Sequence, residues 1–117
     1  MVNDKSQAPG IIVENGTDVT IVTFEDENIL EEQQIRKLER ALLPVVRKNQ
    51  DKRLVLNFAN VKFMSSAFLG LLVKVHKRVL ELNGRLQLYN LDPKIHKVFE
   101  ITKLVKIFDI VSAASPT

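Results

Sequence analysis

Apolar residues fall along the chain in two distinct periods. Residues 11–13 (Ile-Ile-Val) and 19–24 (Val-Thr-Ile-Val-Thr-Phe) are β-branched runs separated by a polar stretch containing Asn15 and Gly16. An Asn-Gly pair supplies the positive φ of a tight turn, so these runs predict a β-hairpin. Beyond the acidic residues 25–27, Ile35, Leu38, Leu42, Val45 and Val46 recur at helical spacing, with Glu31 and Glu32 near the start and Arg47 and Lys48 near the end. That order of charge suits the helix dipole and predicts an amphipathic helix. Pro44 is its one discordant residue, because proline removes an amide donor and crowds the carbonyl of Arg40; a kink or break in the last turn is expected.

Residues 54–58 (Leu-Val-Leu-Asn-Phe) are nearly continuous in apolar character, as in a central strand covered on both faces or flanked by other strands. Leu69, Leu72, Val73, His76, Val79 and Leu80 then step by threes and fours toward Asn83-Gly84, a helix with a C-cap signal. Leu86, Leu88 and Tyr89 mark another strand. Asp92-Pro93 reads as an N-cap followed by proline at the first helical position, opening a short helix through Ile95, Val98, Phe99 and Thr102. Residues 104–108 make one more helical turn or a short strand. The predicted order is β-β-α-β-α-β-α, an α/β domain with a mixed sheet, an N-terminal hairpin and helices packed on it. Residues 1–10, polar and containing Pro9 and Gly10, read as a flexible lead-in; residues 11–111 form the domain, and residues 112–117 a flexible tail.

Composition narrows the function. At 117 residues the chain is one domain with an adequate core, and 45% hydrophobic with 26% charged residues is ordinary for a globular protein. Cysteine is absent, which removes disulfides, thiolate nucleophiles and Cys-ligated metal, and agrees with a cytoplasmic setting. The two histidines, His76 and His96, have no second imidazole at helical spacing, so no metal site is expected. His76 reads as a packed histidine with one hydrogen bond, and His96 as an exposed helix residue. The start lacks the apolar stretch of a signal peptide, and no run is long enough for a membrane span. Residues 61–117 carry 9 basic and 4 acidic groups, a net of +5, against 8 and 10 in residues 1–60. Lys94, Lys97, Lys103 and Lys106 contribute to this, but without interleaved aromatics they predict at most weak, salt-sensitive association with an anionic surface, and no direct nucleic-acid partner.

No enzyme or cofactor emerges. The four glycines are too dispersed for a phosphate loop, and the carboxylates of residues 25–32 suit solvation and dipole matching. Ser65, His76 and Asp109 assemble a hydrolytic set only on paper, since the serine and histidine would lie about three turns apart on one helix. Two hydroxyls, Ser65 and Ser66, stand where a loop becomes the second helix. Either is suited to be its N-cap, and a phosphate on either would meet free amides and the positive end of the helix dipole.

Around those serines the chain resembles the STAS domain of bacterial anti-sigma factor antagonists. The resemblance rests on three blocks in order: residues 54–72 (Leu-Val-Leu-Asn-Phe-Ala-Asn-Val-Lys-Phe-Met-Ser-Ser-Ala-Phe-Leu-Gly-Leu-Leu), 83–93 (Asn-Gly-Arg-Leu-Gln-Leu-Tyr-Asn-Leu-Asp-Pro) and 98–108 (Val-Phe-Glu-Ile-Thr-Lys-Leu-Val-Lys-Ile-Phe). It covers about residues 11–110. In that family the loop reads Asp-Ser-Ser-Gly-Leu-Gly and its first serine is phosphorylated. The resemblance therefore implies Ser66 as acceptor, with Ser65, in the aspartate position, as the alternative. It implies a non-enzymatic switch that, unphosphorylated, binds an anti-sigma factor that is also a serine kinase of the histidine-kinase-like ATPase fold, frees a sigma factor, and is reset by a serine phosphatase. Met64, Ser65, Ser66, Ala67, Phe68 and Leu69 are the expected docking surface; Phe68, which replaces a glycine, is either buried or offered to the partner, and partner contact is the reading taken. The alternative is a non-enzymatic scaffold or subunit of a signalling assembly or of a lipid or anion transport complex; a homo-oligomer is left open.

Overall fold

The structure, a computed structural model, describes residues 4–111. The elements in order are β1 (Asp4–Ala8), β2 (Ile11–Asn15), β3 (Val19–Phe24), β4 (Asn28–Ile29), α1 (Glu32–Lys48), β5 (Arg53–Asn57), β6 (Phe63–Met64), α2 (Ser66–Glu81), β7 (Arg85–Tyr89), α3 (Pro93–Ile101), a 3-10 turn (Leu104–Lys106) and β8 (Asp109–Val111). Six strands form one mixed sheet in the order β1-β2-β3-β5-β7-β8. The first three are antiparallel and the rest add in parallel, each parallel step made through a helix. The strand of residues 53–57 lies in the middle, flanked by β3 and β7.

Period-two alternation selects the buried face. Val22 and Phe24 of β3, Leu54 and Leu56 of β5, and Leu86 and Leu88 of β7 join one core with Ile35, Leu38, Leu42 and Val46 of α1, six residues of α2, and Ile95 and Phe99 of α3. All three helices thus pack on the same face. Val55 and Gln87 point to the other side and stay outside that core.

Residues 4–8 correct the expected lead-in of residues 1–10. They pair in register with β2, from Asp4 opposite Asn15 to Ala8 opposite Ile11, and Pro9-Gly10 forms the two-residue turn between. Proline fixes φ at the first turn position and Gly10 takes φ +84° at the second, so the residues that looked flexible build a hairpin. Pairing at a sheet edge uses the backbone and tolerates polar side chains, which is why no hydrophobic signal announced it. The expected tail of residues 112–117 lies outside the described residues.

Two other local expectations change. The β2–β3 hairpin is present, but Asn15 belongs to β2 and Gly16 does not take a positive φ; the turn closes through the Gly16 amide donating to the Val19 carbonyl at 2.8 Å. Helix α1 runs unbroken through Pro44. Both Pro44 and Arg40 are exposed, so the Arg40 carbonyl that loses its helical donor can turn to water. At the end of α2, Asn83 takes φ +61°, its amide donates to Leu80 at 3.1 Å and the Gly84 amide donates to Val79 at 2.9 Å, closing the helix as expected.

Candidate functional site

The loop from β5 to α2 carries both serines, and backbone chemistry holds it on several sides. The Ala59 amide donates to Asn57 Oδ1 at 3.0 Å, and Asn60 Nδ2 donates to the Phe24 carbonyl at 3.0 Å. Lys62 and Phe63 amides both donate to the Glu27 carbonyl, at 2.8 and 3.2 Å, and the Ser65 amide donates to Ile29 at 3.0 Å. These bonds make β4 and β6 a short parallel ladder. Phe58 and Val61 are fully buried beneath the loop. Helix α2 therefore starts from a braced platform, which is what positions a surface side chain reproducibly.

Two neighbouring serines receive opposite environments. Ser65 is the N-cap with extended backbone (φ −93°, ψ 167°), yet its side chain makes no cap hydrogen bond, and its Oγ is enclosed without a partner. The Phe68 and Leu69 amides turn instead to the Ser65 carbonyl, at 3.1 and 3.4 Å. The hydroxyl cap expected at the helix start is thus absent. Ser66 is the first helical residue and is exposed, as are Ala67 and Gly70. Together these small residues leave the first turn of α2 accessible, and the first amides of any α-helix lack intrahelical acceptors.

Phe68 and Leu69 leave the expected docking surface. Phe68 is 0% exposed and its ring packs 5.3 Å from Phe24 at 85° and 6.2 Å from Phe58; Leu69 is also buried. A helix turns about 100° per residue, so the third residue faces away from the first, while the fourth, about 60° from the first, sits at the margin of the buried face. Phe68, Leu72, Val75 and Val79 step at four, three and four, and that spacing was the signal for a core position. Met64, half-buried, remains beside Ser66 and Ala67.

Sequence reasoning missed the residues next to this surface. Phe63 and Leu30 are 51% and 50% exposed. The ammonium of Lys94 lies over the Phe63 ring, 4.3 Å from its centroid, and Lys62 Nζ lies 3.6 Å from Asp92 Oδ2. The Lys94 amide donates to Asp92 Oδ1 at 2.9 Å and holds that carboxyl below its ordinary pKa, with the charge of Lys62 acting the same way. These residues come from three separated segments, and no local pattern joins them. Of the other lysines singled out, Lys97, Lys103 and Lys106 are exposed along α3 and the following turn.

Ser65, His76 and Asp109 do not form a hydrolytic set. His76 packs against Phe108, with ring centroids 5.1 Å apart and tilted at 53°; its Nδ1 is buried without the partner expected there, and burial lowers its pKa. Asp109 accepts from Gln87 Nε2 at 2.9 Å and lies 3.7 Å from Arg85. His96 is partly exposed, 3.5 Å from Glu100. Among the described residues no three His, Asp or Glu side chains gather as metal ligands, and no helix is long and apolar enough to cross a membrane.

Comparison with known proteins decides the lineage, because the family model for the STAS domain matches residues 11–115. The chain belongs to the STAS domain family. The anti-sigma-B factor antagonist of Bacillus subtilis is 36% identical over 73 residues, covering 62% of this chain and 65% of that protein. The chain thus spans about two thirds of that curated relative. Among solved structures, an anti-sigma-factor antagonist STAS domain protein from Planctomyces limnophilus superposes with a TM-score of 0.80 at 23% identity, covering 88% of this chain and 90% of that one. The Bacillus cell fate determinant SpoIIAA in its phosphorylated form gives 0.68 at 18% identity, over 90% and 92% of the two chains. This STAS chain shares their single α/β fold with its mixed sheet and three helices.

Proposed function

We propose that the chain is an anti-sigma factor antagonist switched by phosphorylation of Ser66. Unphosphorylated, it binds an anti-sigma factor that is also a serine kinase, and so frees a sigma factor in the cytoplasm; a serine phosphatase restores the binding form. The chain is substrate and binder in this cycle and performs no catalysis itself.

The observation that carries the reading is the contrast between the two serines. Ser66 is exposed at the first position of α2 on a braced loop, while the Ser65 hydroxyl is enclosed where a kinase cannot reach it. That favours Ser66 over the alternative acceptor. The names of the relatives support the antagonist role, and the phosphorylated form of SpoIIAA supports a phosphate on this fold. A phosphate brings about −1.5 to −2 charges and three acceptor oxygens, which the free amides and the helix dipole accommodate without unfolding. On the surface formed by Met64, Ser66 and Ala67, small and largely apolar, that charge would repel a docked partner.

The test is phosphosite mapping of the protein isolated from its own cells with and without stress, joined to binding of the kinase by Ser66→Ala and Ser66→Asp variants. One phosphate on Ser66, tight binding by the alanine variant and weak binding by the aspartate variant are expected. Equal affinities, or no phosphate with an active kinase present, refute the switch and favour a scaffold or transporter-subunit role.

A further inference from the structure

The apolar surface beside Ser66 is larger than the core requires. Leu30, Phe63 and Met64 meet Val98 of α3 around an open groove of about 420 Å3. Leu30 and Phe63 remain half exposed on the same groove, and contiguous exposed apolar surface marks interaction sites. On α3, Lys94, Val98 and Ile101 follow at four- and three-residue steps, and Ile101 is 72% exposed. The apolar strip therefore continues along one side of the helix for about 10 Å.

The charge on this groove is net positive. Its lining contains two lysines, Lys62 and Lys94, and no carboxylate. Lys94 lies over the Phe63 ring, so a positive charge covers the aromatic wall itself. Asp92 lies 3.6 Å from Lys62 and also attracts Lys94, so two lysines and one carboxylate leave a single net positive charge; Lys62 is 45% exposed, with ammonium donors directed to solvent.

The geometry points to this groove as the docking site for an acidic segment of the kinase partner that packs large apolar side chains against Leu30, Met64 and Val98; its regulation rests on the reading of Ser66 given above. The apolar wall supplies the anchor and the lysines select the charge. Ser66 follows Met64 by two residues, so a phosphate there lies within about 7 Å of chain from the groove, inside the screening length at physiological salt. It repels an acidic segment. Phosphorylation then releases the partner by charge.

The test titrates the full chain with a short peptide bearing leucines on one helical face and glutamates on the rest, and with the same peptide carrying lysines for the glutamates, followed by amide NMR shifts. The acidic peptide is expected to shift Leu30, Phe63, Met64 and Val98 and to bind about tenfold or more tightly than the basic one, with Phe63→Ser and Lys94→Glu each losing about tenfold. Both substitutions are at exposed sites, and retained spectral dispersion checks that each variant is folded. Equal binding of the two peptides, shifts confined to other surfaces, or no binding of either overturns the groove. Ser66→Asp is expected to weaken the acidic peptide several-fold; unchanged binding overturns the release by charge. Failure to find phosphate on Ser66 in cells, with peptide binding intact, sinks the proposed switch and leaves the groove standing.

Discussion

Truncating Phe68 to alanine separates a core role from a docking role. The ring is fully enclosed and edge-on to Phe24, with Phe58 on a second side. Removing a buried phenylalanine costs about 3–5 kcal/mol, from lost transfer energy plus the cavity left behind. The aromatic pairing accounts for about 0.5–1.5 kcal/mol of that. A chain of 117 residues has a total stability of about 6–18 kcal/mol at ordinary values per residue. Phe68→Ala is therefore expected to fold, with a large share of its stability gone. In urea unfolding with a slope of about 1–3 kcal/mol/M, the midpoint should fall by about 1 M or more at unchanged slope. A docking residue would give the opposite pair of results: an unchanged midpoint and weakened partner binding. A loss below about 1 kcal/mol refutes the burial argument, because no fully enclosed ring is that inexpensive to remove.

Three further outcomes follow from particular contacts. Gly70→Ala should raise the thermal midpoint by a few degrees, since an added Cβ meets nothing within 4 Å and alanine in a helix gains about 0.5–1 kcal/mol over glycine; a lowered midpoint refutes this. Gly84→Ala should destabilise by about 1–3 kcal/mol, because its Cβ would lie 2.8 Å from the Lys52 carbonyl oxygen, a backbone atom that cannot swing aside; an unchanged urea midpoint refutes it. Burial lowers the folded pKa of His76 below 6.5, so between the two values the unfolded chain binds more protons, and stability from this group falls as pH drops through that window. Urea midpoints from about pH 7.5 to 5 should therefore decline more steeply for the native chain than for His76→Phe, which keeps a ring against Phe108; parallel profiles refute the assignment.

The elements that were legible in the sequence are those whose side chains enter the core. The runs at residues 19–24 and 54–58 and the periodic segments of α1 and α2 carry their burial in their spacing. What was hidden is held by backbone bonds. Strand β1 is Asp-Lys-Ser-Gln-Ala, and β4 and β6 are two residues each, too short for any period to register. Strand β8 appears only after the chain turns at Lys103, whose φ of +64° no residue type announced. The groove is harder still to read, because Leu30, Phe63 and Val98 belong to three segments that only the β4–β6 ladder and the packing of α3 bring together.

The serine pair shows where a family pattern stops and geometry takes over. The resemblance delivers two adjacent hydroxyls, but exposure is decided by the phase at which α2 begins, one residue after Ser65. Under the proposed switch, the replacement of the family aspartate by Ser65 has a specific consequence. A carboxylate at the N-cap would itself accept from the first-turn amides and would stand as a like charge next to a phosphate on Ser66. Ser65 does neither, since its hydroxyl is neutral, enclosed and without a partner. The Ser66 and Ala67 amides and the positive end of the dipole are then left to the phosphate, the Phe68 and Leu69 amides being held by the Ser65 carbonyl. The exchange removes a carboxylate from the surface a kinase reads, and in the same step it makes the helix terminus a better place for the charge that kinase would deliver.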